Sequence, residues 1–481
     1  MFPQEGQQQQ PQQQPTPEPL QFEQSAVESA IGSFKTCSAG GSLGIQPQHL
    51  KELTSGTTRP HVQSALLQQL TRLVNRCAAG TVPPGFLSML VSAPLYALAK
   101  KGGGVRPIGV GETLRRMVAK CVCRALQATA AARLSPTQVG VAERGGCEAI
   151  LHAVSALLEK HGAEEDWVMC KIDFSNAFNR ISRHFIEIVR DDADLSGAFA
   201  WVKACYGQTS SMWWQDEVID CVTGVQQGDP LGPLLFSLVL KLLTDRIKEQ
   251  VPGLAMNVWY LDDGTLIGKT DDVLAAMHII SAEGPALGLQ VNFNKCELWW
   301  SQENVRLHLF PPEIRRIATS GVALLGSAVG SADFLEEEFN RRLDKVRQQL
   351  HTLAELEHSQ FELCLLRMCL GVPQLVYALR TMPPHAIASA LAKADEDITS
   401  ALEHIVGDSM SVAARSQAAL PVAMGGLGVR QALVVAESAY LSSCGTARPL
   451  VARILVYPIL EVTGSGTGRG SSSSSGAERP C

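Results

Sequence analysis

One stretch constrains this chain more than any other: Val258-Trp259-Tyr260-Leu261-Asp262-Asp263-Gly264-Thr265-Leu266-Ile267. Two adjacent carboxylates interrupt what otherwise reads as apolar strand, and Gly264 follows them directly. The pattern predicts a β-hairpin whose turn carries the acids, because Asp-Gly suits the positive φ angles of tight hairpin turns. As a hairpin alone it says nothing of function, since Asp-Gly turns are common. Two like charges held side by side repel each other, and burial raises the cost. A divalent cation relieves that repulsion, and hard oxygen donors of this kind suit magnesium. The stretch therefore points to metal chemistry only if a third carboxylate reaches it from a neighbouring strand.

A third acid lies upstream. Val168-Met169-Cys170-Lys171-Ile172-Asp173-Phe174 is a short apolar strand ending in a carboxylate, and it runs into the polar turn 175–180. An acid at a strand end, at the edge of a sheet, is where metal and substrate ligands sit. Between the two acidic strands, residues 224–236 (GVQQGDPLGPLLF) form a glycine- and proline-punctuated loop opening into an apolar helix. Acid strand, glutamine-glycine loop and Tyr-Leu-Asp-Asp hairpin, in that order, resemble a reverse transcriptase. The chain is most similar to the polymerases of non-LTR retrotransposons. The resemblance runs motif by motif over residues 60–330 and more loosely to 440. Residues 260–264 (YLDDG) carry Leu261 where the family more often has alanine.

Composition sets the outer limits. At 481 residues there is room for roughly two to four structural units with a core of their own. A hydrophobic fraction of 46% and a mean hydropathy of +0.06 fit a folded soluble protein. The 13 cysteines contain no C-x-x-C pair, so neither a zinc site nor a disulfide framework is indicated, and reduced thiols of an intracellular protein are the simplest account. No signal-peptide pattern opens the sequence, and apolar runs such as 233–240 are too short to cross a bilayer. A nuclear or cytoplasmic protein, neither secreted nor membrane-bound, is expected.

A net charge of −6 does not advertise nucleic-acid binding, but the basic residues are clustered. Between Lys100 and Arg133 there are eight basic residues against one acid, Glu112. Arg116, Lys120 and Arg124 recur at i, i+4 and i+8, opposite an apolar face of Leu114, Val118, Cys121 and Ala125. Such a stripe is usually a solvated helix face; in an acidic protein the asymmetry favours a phosphate-tracking surface. Just before it, residues 99–112 (AKKGGGVRPIGVGE) form a glycine-rich basic loop flanked by strand, with Lys100, Lys101 and Arg106 as candidate phosphate ligands.

The pattern along the chain predicts an α+β protein. The Gln/Pro-rich 1–24 reads as disordered, and 25–165 as an N-terminal extension and fingers. Within it, Val62, Leu66, Leu70, Leu73 and Cys77 mark one helix, and residues 145–160 another with Ile150, Val154, Leu157 and Leu158 inward. Residues 166–330 read as strand, helix, hairpin, helix, strand, the split βαβ order of a ferredoxin-like palm, with a last strand at 322–329. Leu335, Phe339, Leu343, Val346, Leu350 and Leu353 open an all-helical 331–445, and 446–481 reads as a Gly/Ser-rich tail. The resemblance supplies the names for this layout: a right-hand polymerase with fingers, palm and helical thumb, and a primer grip at 322–329.

The resemblance also implies the chemistry, which is RNA-directed DNA synthesis on an RNA template from a DNA primer, using deoxynucleoside triphosphates. Two magnesium ions, with manganese as an alternative, would be bridged by Asp173 and Asp262, with Asp263 less direct and the Phe174 carbonyl as a further oxygen. Arg106, with either Lys100 or Lys101, would close over the triphosphate. Phe178 would sit under the sugar and exclude a 2′-hydroxyl, although an aromatic at such a position is more often core. Gln227 and Gly228 would line the nascent base pair, the glycine allowing close backbone approach. Lys295 matches a lysine that protonates the pyrophosphate, and a plain surface lysine is the equal reading. The alternatives are an RNA-dependent RNA polymerase, against which Phe178 argues, and a non-catalytic RNA-binding remnant of a retroelement, against which the intact acids argue.

Overall fold

The strands, in chain order, are β1 (Ala93–Ala99), β2 (Val105–Gly109), β3 (Trp167–Ile172), β4 (Ser210–Trp214), β5 (Glu217–Cys221), β6 (Met256–Tyr260), β7 (Asp263–Lys269), β8 (Glu297–Trp299), β9 (Arg315–Arg316), β10 (Gly321–Leu324) and β11 (Ser327–Gly330). The structure is a computed structural model and describes residues 17–56, 58–99 and 105–455. Its central sheet has the order β6-β7-β3-β8-β9, antiparallel except for the outer β8–β9 pair. β3 is buried on both sides because its side chains alternate between two cores. Val168, Cys170 and Ile172 enter the larger one, beneath helices Gly232–Gln250 and Thr270–Glu283, and Trp167 and Met169 enter the other. Helices in the gaps β3-to-β6 and β7-to-β8 give the split βαβ arrangement, so this is the ferredoxin-like palm.

The second core lies under the opposite face. Helix Gly146–His161 supplies Ile150, Leu151, Val154 and Leu157, and helix Ala432–Leu455 supplies Leu450, Val451, Ile454 and Leu455. A separate four-stranded sheet, β2-β1-β4-β5, forms the fingers, with β1 pairing β2 antiparallel and β4 parallel. β4 and β5 come from within the 166–330 expected for the palm, so the boundary expected at 165 does not hold for this sheet. The thumb is helical around a core of its own. Ser331 caps helix Ala332–Ala354 by accepting the Phe334 N–H, and Phe339, Leu343, Val346 and Leu350 bury one stripe against Leu375, Leu379 and Leu391.

Several expected boundaries move. Residues 17–24 are not a loose tail: Phe22 is buried, and the Leu20 N–H donates to Gly197 O at 2.9 Å. Residues 1–16 lie outside the described residues. The featureless-looking 25–58 contains helix Pro47–Leu53, and helix Gln24–Gly32 enters the core through Val27 and Ile31. Helix Pro60–Ala78 buries Leu67, Leu70, Val74 and Cys77 and leaves Val62 exposed. The single strand expected at 322–329 is a hairpin, β10 and β11, turning at Leu325 and Gly326, both with positive φ. The tail expected from 446 begins too early. Residues 446–455 contain neither Ser nor Gly, and helix Ala432–Leu455 runs on through Pro449 with four aliphatic side chains beyond it buried.

Candidate active site on the palm

β6 and β7 pair Tyr260 with Asp263, which leaves Leu261 and Asp262 as a two-residue turn. Leu261 takes the left-handed conformation, at φ +57°. The positive φ is thus one step before the acids and not at Asp263-Gly264. Gly264 is required for a different reason. It sits in β7 against the fully buried Trp259, where a Cβ would lie 2.5 Å from the indole. The β3–β7 register pairs Ile172 with Gly264 and so carries Asp173 opposite Asp263 on the next residue. Alternation along β3 puts Asp173 on the same side as Lys171, beyond the apolar Trp167 and Met169, where the sheet emerges from its core.

Three carboxylates therefore meet at one sheet end. Desolvation first, then repulsion from Asp262 and Asp173, push the Asp263 carboxyl up to about 6, with Lys171 pulling the other way. Lys171 itself donates to Glu297 Oε2 at 2.6 Å and to Ala323 O at 2.9 Å, tying the acid strand to β10. Lys295 is exposed in a 3₁₀ turn ahead of the short β8, and its Nζ stands 3.8 Å from Asp173 Oδ1. Among the described residues, no group of three or more acidic, histidine or cysteine side chains converges closely enough to hold an ion by itself. The three acids are adjacent in strand register without closing into one coordination sphere among the described residues. The donor chemistry nevertheless fits a divalent cation: the oxygens are hard, and both the burial and the neighbouring acids that raise Asp263 penalise a charge that a cation would offset.

Around the acids, the remaining candidates divide. The Phe174 ring is buried and stacked on Trp259 at 5.5 Å, so only its backbone is left for the site. Phe178 is half-buried and stacked on Phe236 at 4.5 Å, and its carbonyl accepts the Val225 N–H, joining it to the 224–231 loop. Of the two loop glutamines, Gln226 is buried. Its Oε1 accepts from Arg115, and its Nε2 donates to Gly109 O at 3.3 Å. Gln227 is left half-buried in front of it, and Gly228 has φ +107° with no room for a Cβ against Gly109 O. Arg115, fully buried, also bonds Asp229 Oδ2 at 2.8 Å, and Tyr206 donates to the same oxygen at 2.8 Å. Burial disfavours that cation, but Asp229 overrides it and holds Arg115 above the usual arginine range. This buried network, which joins fingers to palm, escaped the sequence reading; an Arg-Arg pair followed by Gln-Gln and Asp was its only signal.

The basic candidates fare less well. Arg116 bonds Ala39 O and lies over the Phe34 ring, while Lys120 donates to Ser33 Oγ at 3.1 Å with Nζ 4.8 Å from the same ring. The segment 33–39, just after helix Gln24–Gly32, lies on this stripe, so of the three residues expected to track phosphate only Arg124 remains exposed. The physical reason is that cations over an aromatic ring and capped by a carbonyl or a hydroxyl are satisfied within the chain. Lys100 and Lys101 lie outside the described residues. The backbone of Arg106 is in β2, paired with Leu98.

Residues 98–326 match the family described as reverse transcriptase (RNA-dependent DNA polymerase). This stretch is a reverse transcriptase domain. Its curated relatives include the retrotransposable element SLACS 132 kDa protein of Trypanosoma brucei gambiense, 29% identical over 73% of this chain and 29% of that protein. Another is the Pol polyprotein of the type-2 retrotransposable element R2DM of Drosophila melanogaster, 27% identical over 54% of this chain and 24% of that protein. The chain spans under a third of either relative's length. Among solved structures it is similar to the telomerase of Candida albicans in complex with a fragment of telomeric RNA, 14% identical with a TM-score of 0.43, covering 81% of this chain and 66% of that one. Reverse transcriptase domains of this family generally use divalent metal ions, and their fold binds a nucleic-acid template and primer.

Proposed function

We propose that this chain is the RNA-directed DNA polymerase of a non-LTR retroelement, extending a DNA primer on an RNA template with deoxynucleoside triphosphates. The observation that carries the reading is the register of β3, β6 and β7, which sets Asp173 opposite Asp263 with Asp262 on the adjoining turn. In the reaction the primer 3′-oxygen bonds to the α-phosphorus as the bond to pyrophosphate breaks. Asp173, Asp262 and Asp263 would hold two magnesium ions, which supply polarisation of the phosphate and neutralisation of the leaving group. Lys295, beside Asp173, is positioned to give a proton to the departing pyrophosphate. Gln227 and Gly228 would line the base pair from the loop that Gln226 anchors, and Phe178 would lie under the sugar.

The test is primer extension on a homopolymer RNA template with magnesium and each class of nucleotide. Asp262→Asn should fold normally and bind template, yet extend at less than about a hundredth of the wild-type rate. Extension within about tenfold of wild type would overturn the assignment. Wild-type protein that binds template but extends nothing would favour the non-catalytic remnant.

A further inference from the structure

The left-handed conformation of Leu261 needs something to hold it, since a non-glycine residue there costs on the order of 1–3 kcal/mol unless its surroundings over-determine it. The surroundings come from one side chain distant in sequence. Gln138, buried, donates from Nε2 to Leu261 O at 3.0 Å and accepts the Leu261 N–H on Oε1 at 2.8 Å. Its amide thus satisfies both backbone groups of the strained residue, as a paired strand would. The same Oε1 accepts the Gly140 N–H at 2.9 Å, which fixes the side chain itself. Segment 137–139 is already laid along β6: the Trp259 N–H donates to Thr137 O at 2.7 Å, and the Val139 N–H to Trp259 O at 2.9 Å. Where that pairing ends, the Gln138 amide carries it one residue further, around the turn. Gly140 completes the cradle, because a Cβ there would lie 2.7 Å from the Leu261 nitrogen.

We propose that Gln138 is a positioning residue for the catalytic turn, holding Leu261 left-handed so that Asp262 is presented beside Asp173 and Asp263. The inference rests on the polymerase reading for its consequence but not for its geometry. Gln138 touches no substrate; it acts through the backbone of the residue before Asp262. Deleting its amide leaves two backbone groups of the turn without their partner and lets Leu261 relax to negative φ, which turns the Asp262 carboxylate away. A displacement of about 1 Å at a reacting centre costs on the order of 10²-fold in rate.

The experiment compares full-length wild type, Gln138→Ala, and Gln138→Ala combined with Leu261→Asn. Asparagine tolerates the left-handed region, so it restores the conformation without the clamp. In primer extension, Gln138→Ala should lower kcat by about 10–100-fold with KM for the deoxynucleotide within about twofold, and Leu261→Asn should recover at least about fivefold. Two readouts do not depend on activity. Hydrogen exchange should accelerate in the peptide spanning 256–263 and not in β3, and manganese binding followed by electron paramagnetic resonance should weaken in Gln138→Ala and recover in the double variant. If the variant's β3 loses protection as well, Gln138 is a general support of the fold and the proposal fails. Unchanged kcat, exchange and manganese affinity in Gln138→Ala would also overturn it. A wild type without extension, in which the exchange and manganese effects still appear, would sink the polymerase reading while leaving the clamp standing.

Discussion

Phe178 is half-buried and stacked on Phe236; under the polymerase proposal, a ring backed in this way would not yield when a sugar presses on it. A 2′-hydroxyl meeting that ring has to be accommodated by shifting the sugar. Wild-type protein is therefore expected to prefer dGTP over GTP opposite template C, and Phe178→Val to narrow that preference by about 10–100-fold. Because valine leaves a gap beside Phe236, the variant should also lose roughly 1–3 kcal/mol of stability. If Phe178 were only core, incorporation of both nucleotides would drop together and the ratio would stand still; an initial preference for GTP would make the enzyme an RNA polymerase. At this scale the acids were legible, because carboxylates at strand ends have few other uses. Gln227 came from the resemblance alone, and the buried role of Gln226 beside it was missed, since adjacent identical side chains differ only in which way the backbone points them. Gln138 was invisible for the opposite reason: it is a single uncharged residue in the mixed connection 135–144, with its partner 123 residues away.

The elements were more readable by type than by what covers them. Periodicity found helix Thr113–Ala125 and the burial of Val118 and Cys121 on it, but Ala125 of the expected apolar face is exposed and Arg115 is buried, and no periodicity says whether a basic face meets water, phosphate or another part of the chain. Here it meets Phe34 and the carbonyl of Ala39, supplied by a segment whose pattern is too short to read. Likewise, helix Gly146–His161 was expected from its apolar side, while its polar side turns out to make the joint with the thumb. Glu148 accepts from Arg380 Nε at 2.7 Å and Nη2 at 2.8 Å, and from Ser443 Oγ at 2.8 Å. The Arg380 hydrogen bonds hold the Glu148 carboxyl below its ordinary value of 4.5. A carboxyl with a depressed folded-state value stabilises fully above its unfolded value and loses that contribution as pH falls through the folded one. Glu148→Gln should accordingly cost about 1–2 kcal/mol at pH 7, allowing for solvent screening. The difference from wild type should shrink once the pH drops below 4.5. Thermal melts at neutral and acid pH check this, and a gap that stays constant with pH would mean that the joint is not carried by the carboxylate.

For the molecule as a whole, the palm sheet is the shared wall of two cores, and the last helix closes the one behind the catalytic strand. Helix Ala432–Leu455 lies against helix Gly146–His161 from the fingers side of the sequence and against helix Val372–Thr381 of the thumb. The final described element is therefore part of the support of β3, although nearly 260 residues separate Asp173 from Ala432. A division into fingers, palm and thumb by sequence position hides this dependence, because the burial is paid out between segments at opposite ends of the fold. Leu450, Val451, Ile454 and Leu455 are all buried, at about 1.5–3 kcal/mol each when fully removed from water. Together they amount to roughly 6–12 kcal/mol, comparable to the whole stability of about 5–15 kcal/mol expected of a folded domain. A chain ending at Gln431 should therefore fail to unfold cooperatively and should aggregate, even though every catalytic candidate remains in it. Leu450→Ala gives a graded form of the same test: a loss of about 2–4 kcal/mol with extension activity retained at low temperature. Cooperative melting of the shortened chain within a few degrees of the full one would show that the palm stands without its last helix, and that the second core is an accessory to the site and not its foundation.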